Sequence, residues 1–567
     1  KMTEIFLSSL LSGITLLAFG NFFCNIFLKQ DASGEVNFAE NSIFGIVFLS
    51  FIALIINFIF PISKSIGNIV FLISLFLFII YFISTKDKKK LLLFLIYTSI
   101  ITFFLILLSN VNRPDAGLYH LPYVSLINEN KIILGSANIH FRFGHISIIQ
   151  YLSGIYNNNF FSTASITIPM ASIVSIFIIY LIKKFKSEFK KENNVSFVIF
   201  LIIVFSLTNF NRYSSFGNDA PSHIFFLFLA ILFLDINNLK KCDVLSFYKI
   251  VFISVFLFAL KVFMAAVFIV PLILFLVSNK KKEILVNRNL IISFIFIFSW
   301  ILKNTLVSGC LIYPVQTTCI NNLSYYDSHQ TTQTIYAGEA WAKGWSDQKN
   351  PILEYNEYNK NFNWFSTWKS KHLIKIFEKL LPFLIFLLIT LFYLFIQIFL
   401  KKEKLIRAEN IHSSRIFILL CFSLFFFLLW FLKFPIYRYG SSFISLSLIL
   451  ITTLTFKNYL YLINRKYYIT IIIVGLIAFF LKNGLRIIDK FQVNYFDYPW
   501  PQIYSLDTKN KPKKFNLIKK GNQHIYYYSN QELCMYSKSP CSNYNLKNLN
   551  KRKVFGYDLF WIDKNNY

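Results

Sequence analysis

Two adjoining stretches decide the fold: the run LLLFLIYTSIITFFLILLS at residues 91–109 and the segment NRPDAGLYHLPY at residues 112–123. The run holds 19 residues without a charge, about the length an α-helix needs to cross the hydrocarbon core of a bilayer. Asp115 stands shortly past its end. We therefore expect this carboxylate at the mouth of a membrane helix, hydrated and near the lipid headgroups.

The composition excludes a large soluble protein. Of 567 residues, 56% are hydrophobic and 19% aromatic, and only 15% are charged, too few to cover a soluble surface of this size. The net charge is +30, but many Lys and Arg residues lie in short clusters directly after apolar runs. Such placement specifies membrane topology, whereas nucleic-acid binding would require a basic face in a folded soluble domain. The absence of a P-loop sequence also argues against nucleotide-driven pumping.

The apolar runs predict an all-α polytopic membrane protein with about 14 transmembrane helices. The first run lacks a basic flank and an Ala-x-Ala-type end, so we expect no cleavable signal peptide. The pair within 246–278 is short, and either two short or kinked crossings or a re-entrant hairpin fits it. The predicted crossings lie near 4–28, 42–62, 69–85, 91–109, 165–183, 195–210, 221–236, 246–260, 263–278, 289–307, 378–400, 414–432, 441–457 and 467–483.

Basic clusters orient this bundle, because they all fall on one side and the positive-inside rule makes that side cytoplasmic. The clusters are Lys86–Lys90, Lys183–Lys191, Lys240–Lys241, Lys280–Lys282, Lys401–Lys404 and Arg465–Lys466. The exoplasmic segments are then 110–164, 209–220, 308–377 and the tail after 484.

The chain divides into three predicted parts: additional transmembrane helices at 1–90, a core at 91–484 and a C-terminal periplasmic domain at 485–567. We interpret the last as a small α+β domain, with a set of strands packed on the membrane face as the alternative. The first exoplasmic segment predicts two amphipathic helices lying on the membrane, Leu118–Asn128 and Ile146–Tyr156.

Four of the seven cysteines form two close pairs in segments predicted to be exoplasmic. Pairs in an oxidising compartment such as the bacterial periplasm favour disulfides Cys310–Cys319 and Cys534–Cys541. Free thiols at chance spacing are the alternative. A zinc site is disfavoured because no close histidines complete either pair.

Asp115 is our candidate general base, since an unpaired carboxylate at a membrane surface, as we expect it to be, can accept a proton from a substrate. The alternative is a helix N-cap, because Asp before Ala-Gly-Leu is a common start signal, and the two roles are compatible. Tyr119 and His120 follow about one helical turn later.

The sequence NIHFRFGH at residues 138–145 lies in the same exoplasmic segment. His140, Arg142 and His145 suit contact with a phosphate or pyrophosphate headgroup. Their spacing does not favour a metal site on one helix.

Asp219 begins the seventh predicted crossing on the same side. It is either a second N-cap or a second functional acid. Together with Asn218, Ser214 and Ser215 it makes a polar rim suited to sugar hydroxyls.

Three cations stand at membrane boundaries, where a charge is costly: Lys261, Lys303 and Arg438. Ordinary snorkelling to headgroups explains any one of them. All three are predicted on the side of Asp115, which argues for a phosphate clamp.

In this order the motifs resemble the GT-C superfamily of integral-membrane glycosyltransferases, which includes protein O-mannosyltransferases and lipid A aminoarabinose transferases. The resemblance covers about 91–457. It rests on Asp115, Asp219, Lys261, the run Trp300 to Pro314 with its Lys303-Asn304 pair, and a late Pro-x-x-Arg-Tyr, here Pro435 to Tyr439.

The chain departs from the close relatives in two respects. Four predicted crossings precede the catalytic loop of this chain, whereas the close relatives have one. Ala116 stands where the protein mannosyltransferases have the Glu of an Asp-Glu pair. The second departure argues against a protein acceptor. The layout is closest to uncharacterised bacterial membrane proteins associated with surface polysaccharides.

The resemblance implies an inverting glycosyltransferase of the bacterial inner membrane, with its active site facing the periplasm. It would move a sugar from a polyprenyl-phosphate carrier to a glycan or lipid acceptor, without a metal or other cofactor and without a nucleic-acid partner. Asp115 and Asp219 would be the catalytic acids. The residues expected to bind substrate are Tyr119, His120, His140, Arg142, His145, Lys261, Lys303, Asn304, Arg438 and Tyr439.

Two other functions fit a polytopic protein of this kind. An O-antigen-type polymerase or ligase would show a long exoplasmic loop rich in Arg and His, and 308–377 has two His and no Arg. A flippase or transporter of lipid-linked sugars would carry charges midway along its crossings and show internal repeats. Its cavity would lie near mid-membrane, whereas the transferase cavity would lie at the exoplasmic face and be lined by Asp115.

Overall fold

The computed structural model describes residues 2–29, 35–109, 115–191, 194–210, 216–236, 238–346, 353–401, 411–492, 499–504, 515–546 and 548–563. The chain is mostly α-helical, with a small region of strands near its C-terminus. The α-helices are α1 Met2–Phe23, α2 Glu35–Ile59, α3 Lys64–Ser84, α4 Lys88–Ile106, α5 Leu121–Glu129, α6 Ile149–Ile155, α7 Ile168–Phe189, α8 Asn194–Asn209, α9 Asp219–Asp235, α10 Val244–Leu260, α11 Ile269–Val277, α12 Lys281–Val286, α13 Arg288–Ser308, α14 Ser328–Ala342, α15 Tyr355–Asn359, α16 Phe365–Trp368, α17 Ile374–Lys401, α18 Ile411–Lys433, α19 Tyr437–Phe456 and α20 Arg465–Gln492.

Ten helical segments within the described ranges are long and apolar enough to cross a membrane, by length and composition. This agrees with a multi-pass membrane protein. The segments are Met2–Leu28, Val36–Ile59, Lys64–Ser84, Lys88–Ile106, Thr163–Phe189, Arg288–Ser308, Phe365–Leu400, Ser414–Lys433, Tyr437–Phe456 and Arg465–Phe491.

The other four crossings expected from the sequence are also helical, but they are shorter than the ten. Helices α8, α9 and α10 have 16, 17 and 17 residues. The fourth is a 3-10 turn, Val262–Phe268, followed by the nine residues of α11. A straight helix needs about 20 residues to span the hydrocarbon core. These four helices are shorter, so their length does not establish that they cross the membrane.

Contacts between helix ends show that α9 and α10 run in opposite directions and that α9 runs parallel to α7. Asn218, before α9, donates from Nδ2 to the carbonyl of Leu260 at the end of α10, 3.1 Å away. At the opposite end, Lys184 of α7 pairs with Asp235 of α9 at 2.8 Å. The end of the bundle that holds Asn218 also holds Asp115, and we call it the Asp115 end.

The two helices expected to lie on the membrane surface are instead buried. The first is a π-helical turn, Ala116–His120, that continues into α5, where eight of nine residues are buried. The second is α6, shorter than expected and buried along its length. The amphipathic prediction was wrong because tertiary packing covers both helices: residues of the C-terminal region contact α5, and α6 packs against α2, α3 and α5. The local sequence could not reveal these neighbours.

The described part of the C-terminal region contains strands but no helix after α20, so the predicted α+β domain is corrected to the alternative, a set of strands. Strands β1 Asn516–Lys520, β2 Gln523–Tyr528 and β3 Cys541–Ser542 form one sheet in that order. The β1–β2 pair is antiparallel and the β2–β3 pair is parallel. Strands β4 Leu549–Val554 and β5 Tyr557–Ile562 form a separate antiparallel hairpin.

The chain also holds two local disulfides and long-range contacts made by its first helix. Both cysteine pairs singled out from the sequence are bonded, Cys310 to Cys319 and Cys534 to Cys541. The N-terminal helix α1 packs against α4 and α7 as well as against its neighbours α2 and α3.

Candidate active site

Asp115 is held between two arginines. Its Oδ1 accepts from Nη1 of Arg142 at 2.7 Å, and its Oδ2 accepts from Nη1 of Arg438, also at 2.7 Å. The sequence led us to expect an unpaired carboxylate, and this expectation was wrong. The partners lie 27 and 323 residues away along the chain, so only the tertiary fold brings them to Asp115.

Neither candidate acid acts as a helix cap through its side chain. Asp115 precedes the π-helical turn without a capping bond, because its carboxylate oxygens face the two arginines. Asp219 is the first residue of α9, and the capping position belongs to Asn218, which makes no side-chain cap either. The N-cap alternative is therefore rejected for both acids.

Asp219 joins the same cluster through a lysine and an arginine. Its Oδ1 accepts a short hydrogen bond from Nζ of Lys261, the residue that separates α10 from the 3-10 turn. Its Oδ2 lies 3.9 Å from Nε of Arg438. Arg438 thus contacts both carboxylates and links Asp115 to Asp219.

Tyr439 forms one wall of this cluster. Its ring lies under Lys261, with Nζ 4.2 Å from the ring centroid. Its hydroxyl accepts from Nη2 of Arg438 at 2.9 Å. A cation over an aromatic face is attracted by the ring quadrupole, so Tyr439 helps to fix both cationic side chains.

On the other side, Tyr119 and His120 close the cluster. The Arg142 guanidinium stands 5.1 Å from the ring centroid of Tyr119. His120 is buried, and its Nδ1 lies 3.0 Å from Nε2 of Gln150. Burial lowers the pKa of His120 to about 4, so this imidazole is neutral near pH 7.

The cluster carries an excess of positive charge. Two carboxylates, Asp115 and Asp219, face three cations, Arg142, Arg438 and Lys261. With His120 neutral, the net charge is +1, from three positive and two negative groups. Burial alone would raise the pKa of Asp115, but the charges of Arg438 and Arg142 outweigh it and hold that pKa below its ordinary value.

A small cavity opens between these side chains at the Asp115 end. Its volume is about 30 Å³, room for one or two water molecules but not for a sugar. A sugar could enter only if the surrounding side chains moved. The lining comprises Asp115, Ala116, Tyr119, His120, Phe216, Gly217, Asn218, Asp219, Arg438 and Tyr439.

A larger groove, of about 450 Å³, runs along α20 between Ile473 and Ile488. It is lined by apolar side chains of that one helix and offers no titratable group for chemistry. It is therefore not a candidate active site.

Lys303 and Asn304 do not join the cluster, contrary to the predicted clamp of three boundary cations. Lys303 is fully buried, its Nζ lies 4.1 Å from the ring of Trp300, and it donates to Asn304 Oδ1 at 3.1 Å. Asn304 donates in turn to the carbonyl of Leu311. Because the side chain packs inside the protein, snorkelling to headgroups does not describe Lys303 either.

The two flanking histidines support the cluster from outside or lie apart from it. His140 is buried, and its Nδ1 accepts the backbone N–H of Arg142 at 3.2 Å, which fixes the turn that carries Arg142. His145 packs edge-on against Tyr313, with ring centroids 5.1 Å apart. Within the described part of the chain, neither imidazole forms a hydrogen bond or an ion pair with Asp115 or Asp219.

Several residues of the site were not singled out from the sequence. Gln150 positions His120, and Gly217 approaches its ring so closely that a Cβ there would lie 3.0 Å from Nε2. His223 of α9 bonds the carbonyl of Arg438 at 2.8 Å and Ser442 Oγ at 2.7 Å, which anchors the start of α19. A histidine within an apolar helix was the available signal for His223. Gln150 and Gly217 carried none.

The remaining expectations concern the polar rim and a metal site. Ser214 and Ser215, predicted in the polar rim, lie outside the described residues. Among the residues that the structure describes, no group of three or more His, Cys, Asp or Glu side chains is arranged to hold a metal ion.

Comparison with known proteins gives one family. The model of a domain of unknown function, DUF8201, matches residues 2–445, a range that includes all five charged residues of the cluster. No curated protein and no solved structure matches the chain.

Proposed function

The chain belongs to the DUF8201 family, and we propose that it is a membrane glycosyltransferase that moves a sugar from a polyprenyl-phosphate carrier to a glycan or lipid acceptor. The single observation that carries this proposal is the cluster of two carboxylates and three cations around a cavity at one end of the bundle. A carboxylate suits proton removal from an acceptor hydroxyl, and guanidinium groups suit a phosphate.

The charge of the cluster fits a monophosphate carrier. A sugar linked to a lipid through one phosphate is a phosphodiester with a single negative charge, which the net charge of +1 balances. A diphosphate-linked sugar would bring two negative charges and leave the complex negative in a partly buried site. The charge count thus supports the first donor class over the second.

The net charge of the cluster also supports Asp115 as the general base. In one displacement, the acceptor oxygen bonds to the anomeric carbon as the bond from that carbon to the phosphate oxygen breaks, which inverts the configuration. The acceptor proton passes to Asp115 and neutralises it, so the net charge of the protein groups rises from +1 to +2. The leaving lipid phosphate changes from one negative charge to two at the same moment. Arg142, Arg438 and Lys261 stabilise that developing charge.

Donor binding prepares the base in this mechanism. In the free protein both oxygens of Asp115 accept from arginines, and a carboxylate so occupied is a weak base. A phosphate that takes over Arg142 or Arg438 frees an oxygen of Asp115 and raises its basicity. The small volume of the cavity agrees with a site that opens when the donor binds. We therefore propose that the donor binds before the acceptor.

We further propose that all fourteen predicted helices cross the membrane, with the Asp115 end in the periplasm of a bacterium. The opposite directions of α9 and α10 support the crossings, and the positive-inside rule supports this orientation. So do the two disulfides, which suit an oxidising compartment. In this scheme 91–484 is the catalytic core, 1–90 supplies additional helices and 485–567 is a periplasmic region.

The proposal is tested by transfer in proteoliposomes that contain the purified protein, a labelled polyprenyl-phosphate sugar and a polysaccharide or lipid acceptor. We expect Asp115→Asn to lower kcat about 10²-fold or more, because a general base contributes that much. The matched control is Asp87→Asn, which neutralises a partly exposed aspartate paired with Lys90 at the opposite end. Full activity of Asp115→Asn would contradict the role given to Asp115.

A further inference from the structure

The segment closed by the Cys534–Cys541 disulfide, residues 534–541, lies along the helix that carries Asp115. We call it the disulfide loop, and we call residues 115–130 the Asp115 segment. The backbone N–H of Met535 donates to the carbonyl of Gly117 at 2.8 Å, two residues after Asp115. The loop thus makes a backbone bond next to the proposed base.

The contacts continue to the far end of the Asp115 segment. Ser125 donates a short hydrogen bond to the carbonyl of Ser537. Ser539 contacts the last turn, where Glu129 Oε2 accepts its backbone N–H at 3.0 Å and Asn130 Nδ2 donates to its Oγ at 2.9 Å. Tyr536 adds a bond from its hydroxyl to Asn128 Oδ1 at 3.0 Å, so the loop contacts the segment from Gly117 to Asn130.

The disulfide loop and the Asp115 segment pack against each other at Gly117 without a gap. A Cβ added to Gly117 would lie 2.5 Å from Sδ of Met535 and 3.0 Å from Leu533. Both cysteines and Met535 are buried. The loop therefore fits against a helix surface that glycine keeps flat.

The chain beyond the disulfide reaches the other partner of Asp115. Ser542 donates from Oγ to the carbonyl of Ile139 at 2.9 Å. The ring of Tyr544 packs 5.3 Å from that of His140, whose Nδ1 accepts the N–H of Arg142. One C-terminal stretch thus contacts both the helix of Asp115 and the turn of Arg142.

We propose that the disulfide loop is a positioning element that sets the distance between the Asp115 carboxylate and the Arg142 guanidinium. The disulfide closes a short loop and so limits the conformations that the loop can adopt. The loop therefore keeps its contacts with the Asp115 segment. Its effect on catalysis rests on the proposed function, whereas its effect on the Asp115 segment does not.

The double substitution Cys534→Ser with Cys541→Ser tests this in the full-length purified protein. We expect hydrogen–deuterium exchange of the amides at 116–130 to accelerate at least about tenfold, since the restraint on local opening is lost. In the transfer assay we expect kcat to fall about 10²-fold, because catalytic groups displaced by roughly 1 Å lose that much. The KM for the donor should change less than kcat, because Arg438 and Lys261, two of the three cations proposed to hold the phosphate, lie outside the contacts of the loop.

The matched control removes the other disulfide, with Cys310→Ser and Cys319→Ser. We expect it to accelerate exchange near 309–326 and to leave 116–130 unchanged. Unchanged exchange at 116–130 in the Cys534/Cys541 variant would overturn the proposal. So would faster exchange there with kcat unaltered. If the wild-type protein transfers no sugar from any donor, the proposed function fails, and the exchange result still decides the structural part.

A second pair of variants guards against misfolding as the explanation. Gly117→Ala should accelerate exchange at 116–130, because its methyl group collides with Met535. Adding Met535→Ala removes the closest of these contacts and should restore part of the protection and part of kcat. A double variant no better than Gly117→Ala alone would contradict the proposed fit.

Discussion

Arg438 is the side chain on which the candidate site depends most. Its Nη1 bonds Asp115 at 2.7 Å and its Nε lies 3.9 Å from Asp219. A planar guanidinium offers several donors in fixed directions, whereas an ammonium is a single point of charge. The two carboxylates are therefore held in register by the shape of Arg438 as well as by its charge.

Replacing Arg438 by lysine keeps the charge but removes the bridge. We expect Arg438→Lys to lower kcat/KM about 10²-fold, because one ammonium cannot contact both carboxylates and the donor phosphate. The measurement is initial rate against donor concentration in proteoliposomes. Arg552→Lys serves as the control, since Arg552 is exposed on β4 and stacks on Trp561. Equal losses in both variants would contradict the assigned role.

In the proposed mechanism, the pH dependence of transfer reports the protonation state of Asp115. The charges of Arg438 and Arg142 hold its pKa below the ordinary value, so the base stays ionised down to acidic pH. A base with a depressed pKa loses activity only as the pH falls through that pKa. We expect kcat/KM of the wild type to be flat from pH 8 to about pH 5, since an ordinary aspartate titrates near 3.9.

Arg142→Gln removes one of the two lowering charges, so the acid limb should move to higher pH, in the direction of the ordinary value or above it. The profile of kcat/KM is the right measurement, because it reports groups of the free enzyme. An acid limb that stays in place in Arg142→Gln would show that another group titrates.

At the scale of elements, the ion pair between α9 and the residue after α10 joins two short helices. Lys261 and Asp219 are mostly buried, with 14% and 29% of their side chains exposed. Removing one partner of such a pair leaves a poorly solvated charge, whereas removing both is often close to neutral for stability. Stability and activity should therefore respond differently to the two kinds of substitution.

We expect Lys261→Met and Asp219→Asn each to lower the melting temperature by roughly 3 °C. The double variant should recover most of that loss while transfer stays low, because the phosphate has lost a cation. Thermal unfolding in detergent and the transfer assay check the two halves. A double variant that regains activity would assign the pair to structure alone.

Local sequence signals predicted the helices well, but they predicted poorly which side chains meet in the folded protein. Every run expected to cross the membrane is helical. A long apolar run in lipid must satisfy its backbone hydrogen bonds within itself, and a helix does so. The pairing of Asp115 with Arg438 has no local signal, since it is made across 323 residues. Lys303 looked like Lys261, a cation in an apolar boundary. Only packing decides that one meets Asp219 and the other packs over Trp300.

The same limit applied to the C-terminal region. Cysteine spacing predicted its disulfide, but nothing in residues 534–541 indicated that the loop lies on the Asp115 segment. Helix α5, predicted to rest on the membrane, was therefore found buried beneath this loop.

At the scale of the whole molecule, the proposed orientation makes a clear prediction for labelling. Lys519 on β1 and Lys281 on α12 are both exposed and fall on opposite sides of the proposed bundle. In a background with serine at Cys24, Cys242 and Cys421, we expect Lys519→Cys to react with an impermeant maleimide in intact cells stripped of their outer membrane. Lys281→Cys should react only after permeabilisation. The reverse pattern would invert the topology and move the site to the cytoplasm.

The proposed function requires the cluster to cleave the bond between sugar and phosphate in a donor with one phosphate. The most direct measurement supplies the wild-type protein in proteoliposomes with the same sugar on polyprenyl monophosphate or polyprenyl diphosphate, and follows both lipid and acceptor by mass spectrometry. We predict glycosylated acceptor and free lipid phosphate from the monophosphate donor alone. Product from the diphosphate donor alone, or movement of an intact lipid-linked sugar across the bilayer without cleavage, would contradict the account.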